Sequence, residues 1–329
     1  PFFEESMITL IEFSSTSNLE DSEIAFKSLE ILVKCSTIEN RHNLLNLLLQ
    51  LFENCSSFNE FHLSKLIDLL TELIYRLRDQ IDDKFDTIWE LLSSGATKLP
   101  FLFLIPISAM SISSKVKFSH YIESTLTLIN EALNSEHFER ACAGLKIMVK
   151  STDLTDFSPL FLSILESLMK LLENEEIPAR NKRMIVEVFD TINREIPSLF
   201  ESVLNTAFPT IARLSFDLDD WEDFDSNSDF LRFFSEILCV EEGATLEAKE
   251  IACKSVLHIM SLVVDCPKMD EYYIDSVIDA LYSVACTFPD LICQFYEQNL
   301  ALELTLKYAM SVEGTDLKKI GCIFDVINS

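Results

Sequence analysis

Glycine and proline are scarce in this sequence, with five glycines and nine prolines among 329 residues. Sheets built from β-hairpins need many such residues at their turns, so a hairpin-rich β fold is disfavoured. Hydrophobic residues make up 48% of the chain, which is enough to bury a large core. The sequence therefore predicts an all-α protein whose helices are joined by short turns.

Basic residues are also few: 26 lysines and arginines stand against 54 aspartates and glutamates, for a formal net charge of -28. Such a charge repels nucleic-acid phosphates and anionic membrane surfaces, and it favours basic partners. No membrane insertion is expected, because the longest apolar run, Leu99–Ile107, is far shorter than the roughly 20 residues that cross a bilayer. The chain begins at Pro1 without an initiating methionine, so we expect a fragment of a longer protein.

The sequence also lacks the motifs of catalytic and metal sites. It has no phosphate-binding glycine loop and no Cys-x-x-Cys pair, and its five histidines lie far apart on predicted helix surfaces. The nine cysteines are scattered through apolar segments, so we expect reduced, buried thiols. Cys286 and Cys293 are seven residues apart, but no third ligand completes a zinc set, and core packing is the better interpretation. No enzymatic activity, cofactor or metal is expected.

Apolar residues recur every three or four positions, the spacing that places side chains on one helical face. The helices form pairs, and the first helices of successive pairs are predicted to start near residues 21, 61, 99, 136 and 178. A period of about 40 residues is typical of HEAT-type helical hairpins. The predicted fold is therefore a single HEAT-repeat solenoid over residues 1–329, a superhelix of antiparallel helical hairpins.

Beyond residue 229 the periodicity is harder to phase. Further helices are predicted at about Asp229–Val240, Ala244–Asp265, Asp270–Thr287, Pro289–Ser311 and Asp316–Asn328. Prolines support the earlier boundaries, since Pro159, Pro178 and Pro197 suit the first turn of a helix. Pro209 is expected to bend the helix that contains it.

One stretch, Phe216–Asp229, contains seven carboxylates, one tryptophan and two phenylalanines, but no lysine or arginine. We name it the acidic stretch. Unpaired like charges cannot share a dry core, so the stretch must be solvated or must meet a basic partner. A plain linker seldom interleaves aromatic residues with so many acids, and we predict a loop that binds a partner or regulates binding. Its predicted binding residues are Asp217, Asp219, Asp220, Trp221, Glu222, Asp223, Phe224 and Asp225.

Acidic stripes are also predicted on second helices of the pairs, which usually line the concave wall of such a superhelix. The residues are Asp83, Asp86, Glu90, Glu166 and Glu173. One interpretation is a charged solvent face, which any soluble helix needs. The functional interpretation is a set of contacts to a basic partner on the concave wall. The basic cluster Arg180–Arg183 is too small for a nucleic-acid face. It is interpreted as a solvated helix start or as local neutralisation of the nearby Glu173, Glu175 and Glu176.

The run from about Phe118 to Asp229 resembles the importin-beta (karyopherin-beta) superfamily, most closely its importin beta-3 branch. In that branch a helix with a proline placed like Pro209 is followed by an acidic loop with a tryptophan and an Asp-Ser-Asn ending, as in Asp217–Asn227 here. Leu66–Ser93 is similar to an early repeat of the branch. Residue by residue, only the acidic stretch corresponds to the family's motif.

The resemblance implies a nuclear import receptor that shuttles between cytoplasm and nucleus. It implies that basic localisation signals of cargo proteins bind an acidic concave face and are released by Ran-GTP, with nucleoporins as further partners. A different class of function stays open, a static HEAT-repeat scaffold subunit of a phosphatase, a vesicle coat or a microtubule-associated complex. Such a scaffold would depend neither on nucleotide nor on the acidic stretch.

Overall fold

The computed structural model describes residues 5–6, 8–11, 19–53, 60–99, 101–152, 154, 158–174, 176–196, 208–213, 224–239, 245–263, 271–298, 306–307, 309–310 and 316–328. These residues are almost entirely helical, and no strand occurs among them, so the all-α prediction is confirmed. The chain divides into two compact units, Pro1–Ser167 (unit 1) and Leu168–Ser329 (unit 2).

Unit 1 contains eight labelled helices and the start of a ninth. They are α1 (Leu19–Cys35), α2 (Ile38–Glu53), α3 (Glu60–Leu77), α4 (Phe85–Ala96), α5 (Leu104–Ser113), α6 (Lys115–Phe118), α7 (Ile122–Leu133), α8 (Phe138–Ser151) and α9 (Ser158–Glu173). Two 3-10 turns complete this part of the chain, Arg78–Lys84 before α4 and Ser119–Tyr121 before α7.

Unit 2 continues with six labelled helices. They are α10 (Ala179–Glu195), α11 (Phe224–Cys239), α12 (Leu246–Val263), α13 (Glu271–Thr287), α14 (Pro289–Gln298) and α15 (Leu317–Ile327). The helices predicted near residues 244, 270 and 316 are confirmed to within two residues at their starts. Pro289 begins α14, as predicted, and residues 208–213 around Pro209 are helical.

The first helices of the predicted pairs are found at residues 19, 60, 104, 138 and 179. The third of these starts was predicted wrongly, five residues too early. Residues before α5 form turns instead, in which the N–H groups of Lys98 and Leu99 both donate to the carbonyl of Gly95 at 3.0 Å. Proline 100 explains the late start, because a proline disfavours helical geometry in the residue before it. Further along, the 3-10 turn Ser119–Tyr121 separates α6 from α7.

In unit 1 the first helices of the pairs form a row, which we name the primary row of unit 1: α1, α3, α5 and α8. Each packs on the next along this row, while α2, α4 and α7 pack against its sides. The fully buried side chains of Phe85 and Phe118 lie in this core. Full burial of one such side chain contributes about 1.5–3 kcal/mol, so apolar packing supplies most of the stability.

Helices α5 and α8 approach each other closely because small residues line their contact. A Cβ atom added to Gly144 would lie 2.8 Å from Oγ of Ser108, so a larger residue would require the Ser108 side chain to shift. The buried hydroxyls of Ser111 and Ser151 hydrogen-bond across the same contact. The buried serines therefore satisfy their polar groups while the two backbones stay close.

The primary row of unit 2 consists of α10, α11, α13 and α15, each packed on the next. Helix α12 packs against α11 and α13, and α14 packs against α13 and α15. The rings of Phe233 and Phe234 are fully buried and meet edge to face, with 5.5 Å between centroids. At the start of α15, Oδ1 of Asp316 accepts a hydrogen bond from the Lys318 N–H at 3.0 Å, an ordinary N-terminal cap.

The prediction that the cysteines are buried is wrong for most of those described. Cys142 and Cys253 are buried, and burial raises the pKa of the Cys253 thiol to about 12. Cys35, Cys239 and Cys286 are exposed, and Cys293 and Cys322 are half-exposed. All seven are free thiols, but five of them lie on helix surfaces that sequence periodicity alone did not identify.

We expect the substitution Arg78→Gly to stabilise unit 1. Arg78 is exposed at the start of a 3-10 turn and has a φ of 50°, a left-handed conformation that crowds its Cβ. Relief of roughly 1–2 kcal/mol of strain outweighs the entropy cost of glycine, which leaves a gain of about 0.5–1 kcal/mol in the free energy of unfolding. Urea unfolding of the full chain measures this gain.

The matched control is Arg78→Ala, which removes the charge but keeps the Cβ atom. The alanine variant should unfold at nearly the same urea concentration as the parent. A glycine variant no more stable than the alanine variant would show that the backbone at this position is not strained.

Candidate functional site

Most of the acidic stretch lies outside the described residues. This applies to Asp217, Asp219, Asp220, Trp221, Glu222 and Asp223. Phe224 and Asp225 are described only as backbone, and they form the start of α11. The prediction of a helix from Asp229 is therefore wrong, because α11 begins five residues earlier. Carboxylates are favourable in the first turn of a helix, where they meet the positive end of its dipole.

The end of the acidic stretch is fixed to the core of unit 2. Ser228 is only 3% exposed, and its hydroxyl shares a hydrogen bond of 2.8 Å with the hydroxyl of Ser276 in α13. Phe230, two residues later, is buried and stacks near the Phe234 ring, with 6.1 Å between centroids. The residues that follow the predicted loop are thus part of the packed helix.

Three of the predicted cargo-contact acids lie around the start of α4 in unit 1. Asp83, Asp86 and Glu90 are all exposed. The ammonium of Lys117 lies 3.6 Å from a carboxylate oxygen of Asp86 and 3.8 Å from one of Asp82. Asp86 therefore already has a cationic neighbour within the chain, whereas no ion pair is recorded for Asp83 or Glu90 in this part of the structure.

Aromatic contacts on α4 are centred on Trp89. Its indole stacks on the ring of Tyr121, with 3.9 Å between centroids, and meets Phe118 edge to face. Lys117 lies over the Phe85 ring, with 5.7 Å from Nζ to the centroid, and donates a hydrogen bond to the carbonyl of Asp82 at 2.6 Å. The aromatic cluster and this lysine hold α4 against the segment that precedes α7.

Glu90 also lines a cavity of about 650 Å³ between α2, α3 and α4. Apolar side chains form most of its wall, and Lys98 is a second charged residue beside it. The apolar wall includes Leu49, Phe52, Leu63, Leu91 and Phe103. The surroundings of Glu90 are thus an apolar recess with one acid and one base, not a cluster of carboxylates.

The two remaining predicted contacts, Glu166 and Glu173, are exposed on α9. The basic cluster lies in α10, where a nitrogen of Arg183 is 3.6 Å from a carboxylate oxygen of Glu187, one turn away. Arg183 therefore pairs with an acid of its own helix, and the neutralisation of the glutamates that precede α10 stays a prediction. A partly exposed helical pair of this kind contributes only a few tenths of a kcal/mol.

The sequence analysis missed a buried polar cluster between α10 and α11 of unit 2. Asp190 has a side chain that is only 1% exposed, and its Oδ2 accepts hydrogen bonds from Nε of Arg232 at 2.9 Å and from Nη2 at 2.8 Å. Arg194, one turn along α10, places a nitrogen 4.0 Å from the same oxygen. The two guanidinium groups compensate the buried carboxylate, which would otherwise be very costly.

Glu236 of α11 extends this cluster. Its Oε2 accepts a hydrogen bond from Nδ2 of Asn193 at 3.1 Å. Burial, together with the nearby charge of Asp190, raises the pKa of Glu236 to about 7, although Asn193 and the two arginines act in the opposite direction. The carboxyl is therefore only partly ionised at neutral pH, and the contact between α10 and α11 contains a group that titrates there.

The cluster binds two helices together and contains no nucleophile. In the described ranges no group of three or more histidine, cysteine, aspartate or glutamate side chains is placed to hold a metal ion. Of the helices described, none is long and apolar enough to cross a membrane. A signal for the cluster does exist in the sequence, since Asp190, Asn193 and Arg194 are polar residues at helical spacing next to an apolar stripe.

Solved structures of importin-beta proteins share this fold. The chain matches a crystal structure of importin beta with a TM-score of 0.71 and 15% identity, covering 100% of this chain and 42% of the other. It matches a chain of the Kap95:Nup1 complex with a TM-score of 0.79 and 16% identity, covering 99% and 42%. It matches a structure of Kap95p with RanGDP with a TM-score of 0.66 and 17% identity, covering 99% and 42%.

The likeness to importin-beta proteins confirms the predicted fold class, an all-α HEAT-repeat solenoid. At such low identities it shows the fold alone, and the chain spans about 42% of the length of these proteins. At the level of sequence, no family model and no curated protein matches the chain. The structural neighbours are importin-beta chains, as the resemblance in the sequence suggested, but they do not distinguish the beta-3 branch.

We expect Glu236→Gln to stabilise the protein at high pH and not at low pH. The pKa of Glu236 lies above its ordinary value of 4.5 in the folded chain, so its ionisation opposes folding. The contribution of this group to stability is fully present below pH 4.5 and is lost as the pH rises through about 7. Glutamine keeps an oxygen for Asn193 but cannot ionise, and we expect a rise of about 2–4 °C in the Tm at pH 8.

Thermal unfolding at pH 4.5 and pH 8 checks this expectation. The matched control is Glu166→Gln, which removes one exposed carboxylate and should change the Tm little at either pH. An equal rise for Glu236→Gln at both pH values would mean that the gain comes from packing and not from the avoided charge.

Proposed function

We propose that this chain is part of a nuclear import receptor of the importin-beta superfamily, close to its importin beta-3 branch. Its ligands are then basic localisation signals of cargo proteins. The observation that carries the proposal is a net charge of -28 on a repeat fold shared with importin beta. A receptor for lysine- and arginine-rich segments needs a surplus of carboxylates, and this chain has such a surplus. We propose no catalytic role for it.

The mechanism that we propose is electrostatic. A strongly negative chain attracts a basic segment over a distance of about a Debye length, roughly 8 Å at physiological ionic strength, and so speeds their encounter. Exposed carboxylates then pair with lysine and arginine side chains. We propose as contacts the acids of the stretch Phe216–Asp229, together with Asp83, Glu90, Glu166 and Glu173. Asp86 contributes less, because Lys117 is already beside it.

Release and transport are proposed from the neighbours. Kap95p binds RanGDP in one of these solved structures, and Kap95 forms a complex with Nup1 in another. We propose that the parent of this chain likewise binds Ran-GTP, which displaces cargo, and binds nucleoporins as it moves between cytoplasm and nucleus. We propose that the stretch Phe216–Asp229 links cargo binding to Ran binding. We also propose that residues 1–329 form one continuous solenoid that carries this stretch.

A second candidate is a static HEAT-repeat scaffold of a phosphatase, a coat or a microtubule-associated complex. One observation favours it: several acids already have basic partners within the chain, as in Asp86 with Lys117 and Asp190 with Arg232. Such internal pairing suits a rigid support. The scaffold would bind its subunits with the same affinity whether Ran carried GTP or GDP.

We expect the full chain to bind a fluorescent lysine- and arginine-rich localisation peptide, and to bind it less tightly as salt rises. An increase from 50 to 300 mM sodium chloride should weaken the affinity by about tenfold, because exposed charge pairs are screened. Fluorescence anisotropy measures the affinity, and a peptide with glutamines in place of its basic residues is the control. We also expect GTP-loaded Ran, and not GDP-loaded Ran, to displace the peptide.

Two outcomes separate the candidates. Binding of the basic peptide without any effect of GTP-loaded Ran would favour the scaffold. No binding of the peptide at 50 mM salt, together with no binding of GTP-loaded Ran, would contradict the import receptor.

We expect neutralisation of the acidic stretch to weaken peptide or Ran binding without unfolding the chain. The variant replaces the five acids that precede α11 by serine or asparagine: Asp217, Asp219, Asp220, Glu222 and Asp223. Acids within α11 are kept, since they support its first turn. We expect about tenfold weaker binding, roughly 1.4 kcal/mol, and an unchanged circular dichroism spectrum.

A control with the same change in charge separates a local effect from a general one. It replaces five exposed acids on other helices by serine or asparagine: Glu123, Glu131, Glu247, Asp275 and Asp325. We expect the control to weaken binding less than the variant of the acidic stretch. Equal weakening by both variants would show that the acidic stretch contributes only through the net negative charge of the chain.

A further inference from the structure

The cavity beside α4 in unit 1 is formed by side chains that the fold holds in place. It has a volume of about 650 Å³ and lies between α2, α3 and α4, and we name it the α4 recess. Phe52 and Phe103 line it and are buried. Phe103 packs directly on Gly95, because a Cβ atom added to this glycine would overlap the phenylalanine ring. The recess is therefore preformed, and its volume falls in the range of about 300–1,000 Å³ that is typical of ligand sites.

Two opposite charges line the α4 recess. Glu90 lies in α4 and Lys98 in the turn that follows it, and both residues are exposed. Among the described residues, neither side chain forms an ion pair, whereas Asp86 of the same helix lies beside Lys117. Eight residues along the helix and its closing turn separate Glu90 from Lys98, which corresponds to roughly 12 Å at 1.5 Å per residue. The recess thus has a negative and a positive end with an apolar wall between them.

Hydrogen bonds fix the turn that carries Lys98. The N–H groups of Lys98 and Leu99 both donate to the carbonyl of Gly95 at 3.0 Å. The hydroxyl of Thr97 donates to the carbonyl of Ser94 at 2.7 Å. The backbone of Lys98 is therefore held in place at the end of α4, and a ligand meets the two charges at a set spacing.

We propose that the α4 recess binds an extended segment of a partner protein with the pattern base-x-apolar-x-acid. Alternate residues of an extended segment face the same side, so the base, the large apolar residue and the acid all face the recess. Its four steps span roughly 13 Å, which matches the spacing of Glu90 and Lys98. The apolar side chain enters the recess, the lysine or arginine pairs with Glu90, and the aspartate or glutamate pairs with Lys98. This site goes beyond the proposed import function and does not depend on it.

The apolar wall supplies most of the affinity and the two charges supply the selectivity. Leu49, Leu63 and Leu91 are half-exposed, and a bound apolar side chain removes them from water. Pairs between exposed charges add little affinity each. A like charge opposite Glu90 or Lys98 is repelled, however, so the two residues together select a segment with one base and one acid.

The net charge of the chain favours a different segment. With a formal net charge of -28, the chain as a whole attracts a segment with two bases more strongly than a segment with one base and one acid. A preference for the second segment must therefore come from a local positive charge, which Lys98 provides. This opposition separates the recess from binding through the overall negative charge.

The experiment measures the binding of fluorescent peptides to the full chain by anisotropy. The dipolar probe is Gly-Lys-Ser-Leu-Ser-Glu-Gly with both termini blocked. The dibasic probe has lysine in place of its glutamate, and the alanine probe has alanine in place of its leucine. We expect the dipolar probe to bind about fivefold more tightly than the dibasic probe and about tenfold more tightly than the alanine probe.

Variants of the recess locate the site. Lys98→Glu should reverse the preference, so that the dibasic probe binds more tightly than the dipolar probe. Its matched control, Lys115→Glu, makes the same change in charge at an exposed lysine of α6 and should keep the preference of the parent. Ser94→Phe places a ring in the recess and should weaken the dipolar probe about tenfold. Ser124→Phe, at an exposed position of α7, should leave its affinity unchanged.

Any one of three results would overturn the proposal: the dipolar probe binds no more tightly than the alanine probe, the parent prefers the dibasic probe, or Lys115→Glu changes the preference as much as Lys98→Glu. The charge variants alter only exposed side chains, so they keep the test decisive even where Ser94→Phe does not fold. All of these results leave the import function untouched, because that function is tested with a localisation peptide and with Ran.

Discussion

The structure depends on the burial of one apolar face per helix. A helix in water gains little from its own hydrogen bonds, and this chain has no strand among its described residues that could cover an apolar face. Each helix must therefore pack on its neighbours. In unit 1 this gives the row α1, α3, α5 and α8, and in unit 2 the row α10, α11, α13 and α15. Phenylalanines from these apolar faces are fully buried in each unit and form part of its core.

The same constraint decides where the charges lie. Because the core takes up the apolar faces, most of the 54 acidic residues are left for the surface, where they repel one another and attract cations. Among the described residues, Asp190 is fully buried, and its carboxylate lies against the guanidinium of Arg232. Lys117 plays a smaller part at the start of α4, where it partly compensates Asp82 and Asp86. The surplus of acidic over basic residues is the physical basis of the proposed binding of basic cargo.

The helices could be predicted well because their signal is local. Periodic apolar residues placed four of the five predicted first-helix starts within two residues of the observed ones. The errors arose where other local effects prevail. Proline 100 delays α5, and the favourable position of carboxylates in a first turn brings the start of α11 forward to Phe224.

The tertiary contacts could not be predicted in the same way. Asp190 and Arg232 are 42 residues apart, and nothing in the sequence pairs them before α10 and α11 are known to pack. The exposure of Cys286 could not be predicted either, because the periodicity that suggested burial does not show which flank of a helix stays open. The acids of the stretch before α11 were chosen for their composition, and they remain a prediction.

Glu236 gives the contact between α10 and α11 a property that neither a hydrophobic contact nor a simple ion pair has. Since the pKa of this carboxyl is about 7, the contact holds a fraction of a proton under neutral conditions. The amount depends on how deeply the carboxyl is buried and on the cations beside it. A movement of α10 against α11 that changed the burial of this carboxyl would therefore change its proton occupancy, which couples the geometry of this helix pair to the pH.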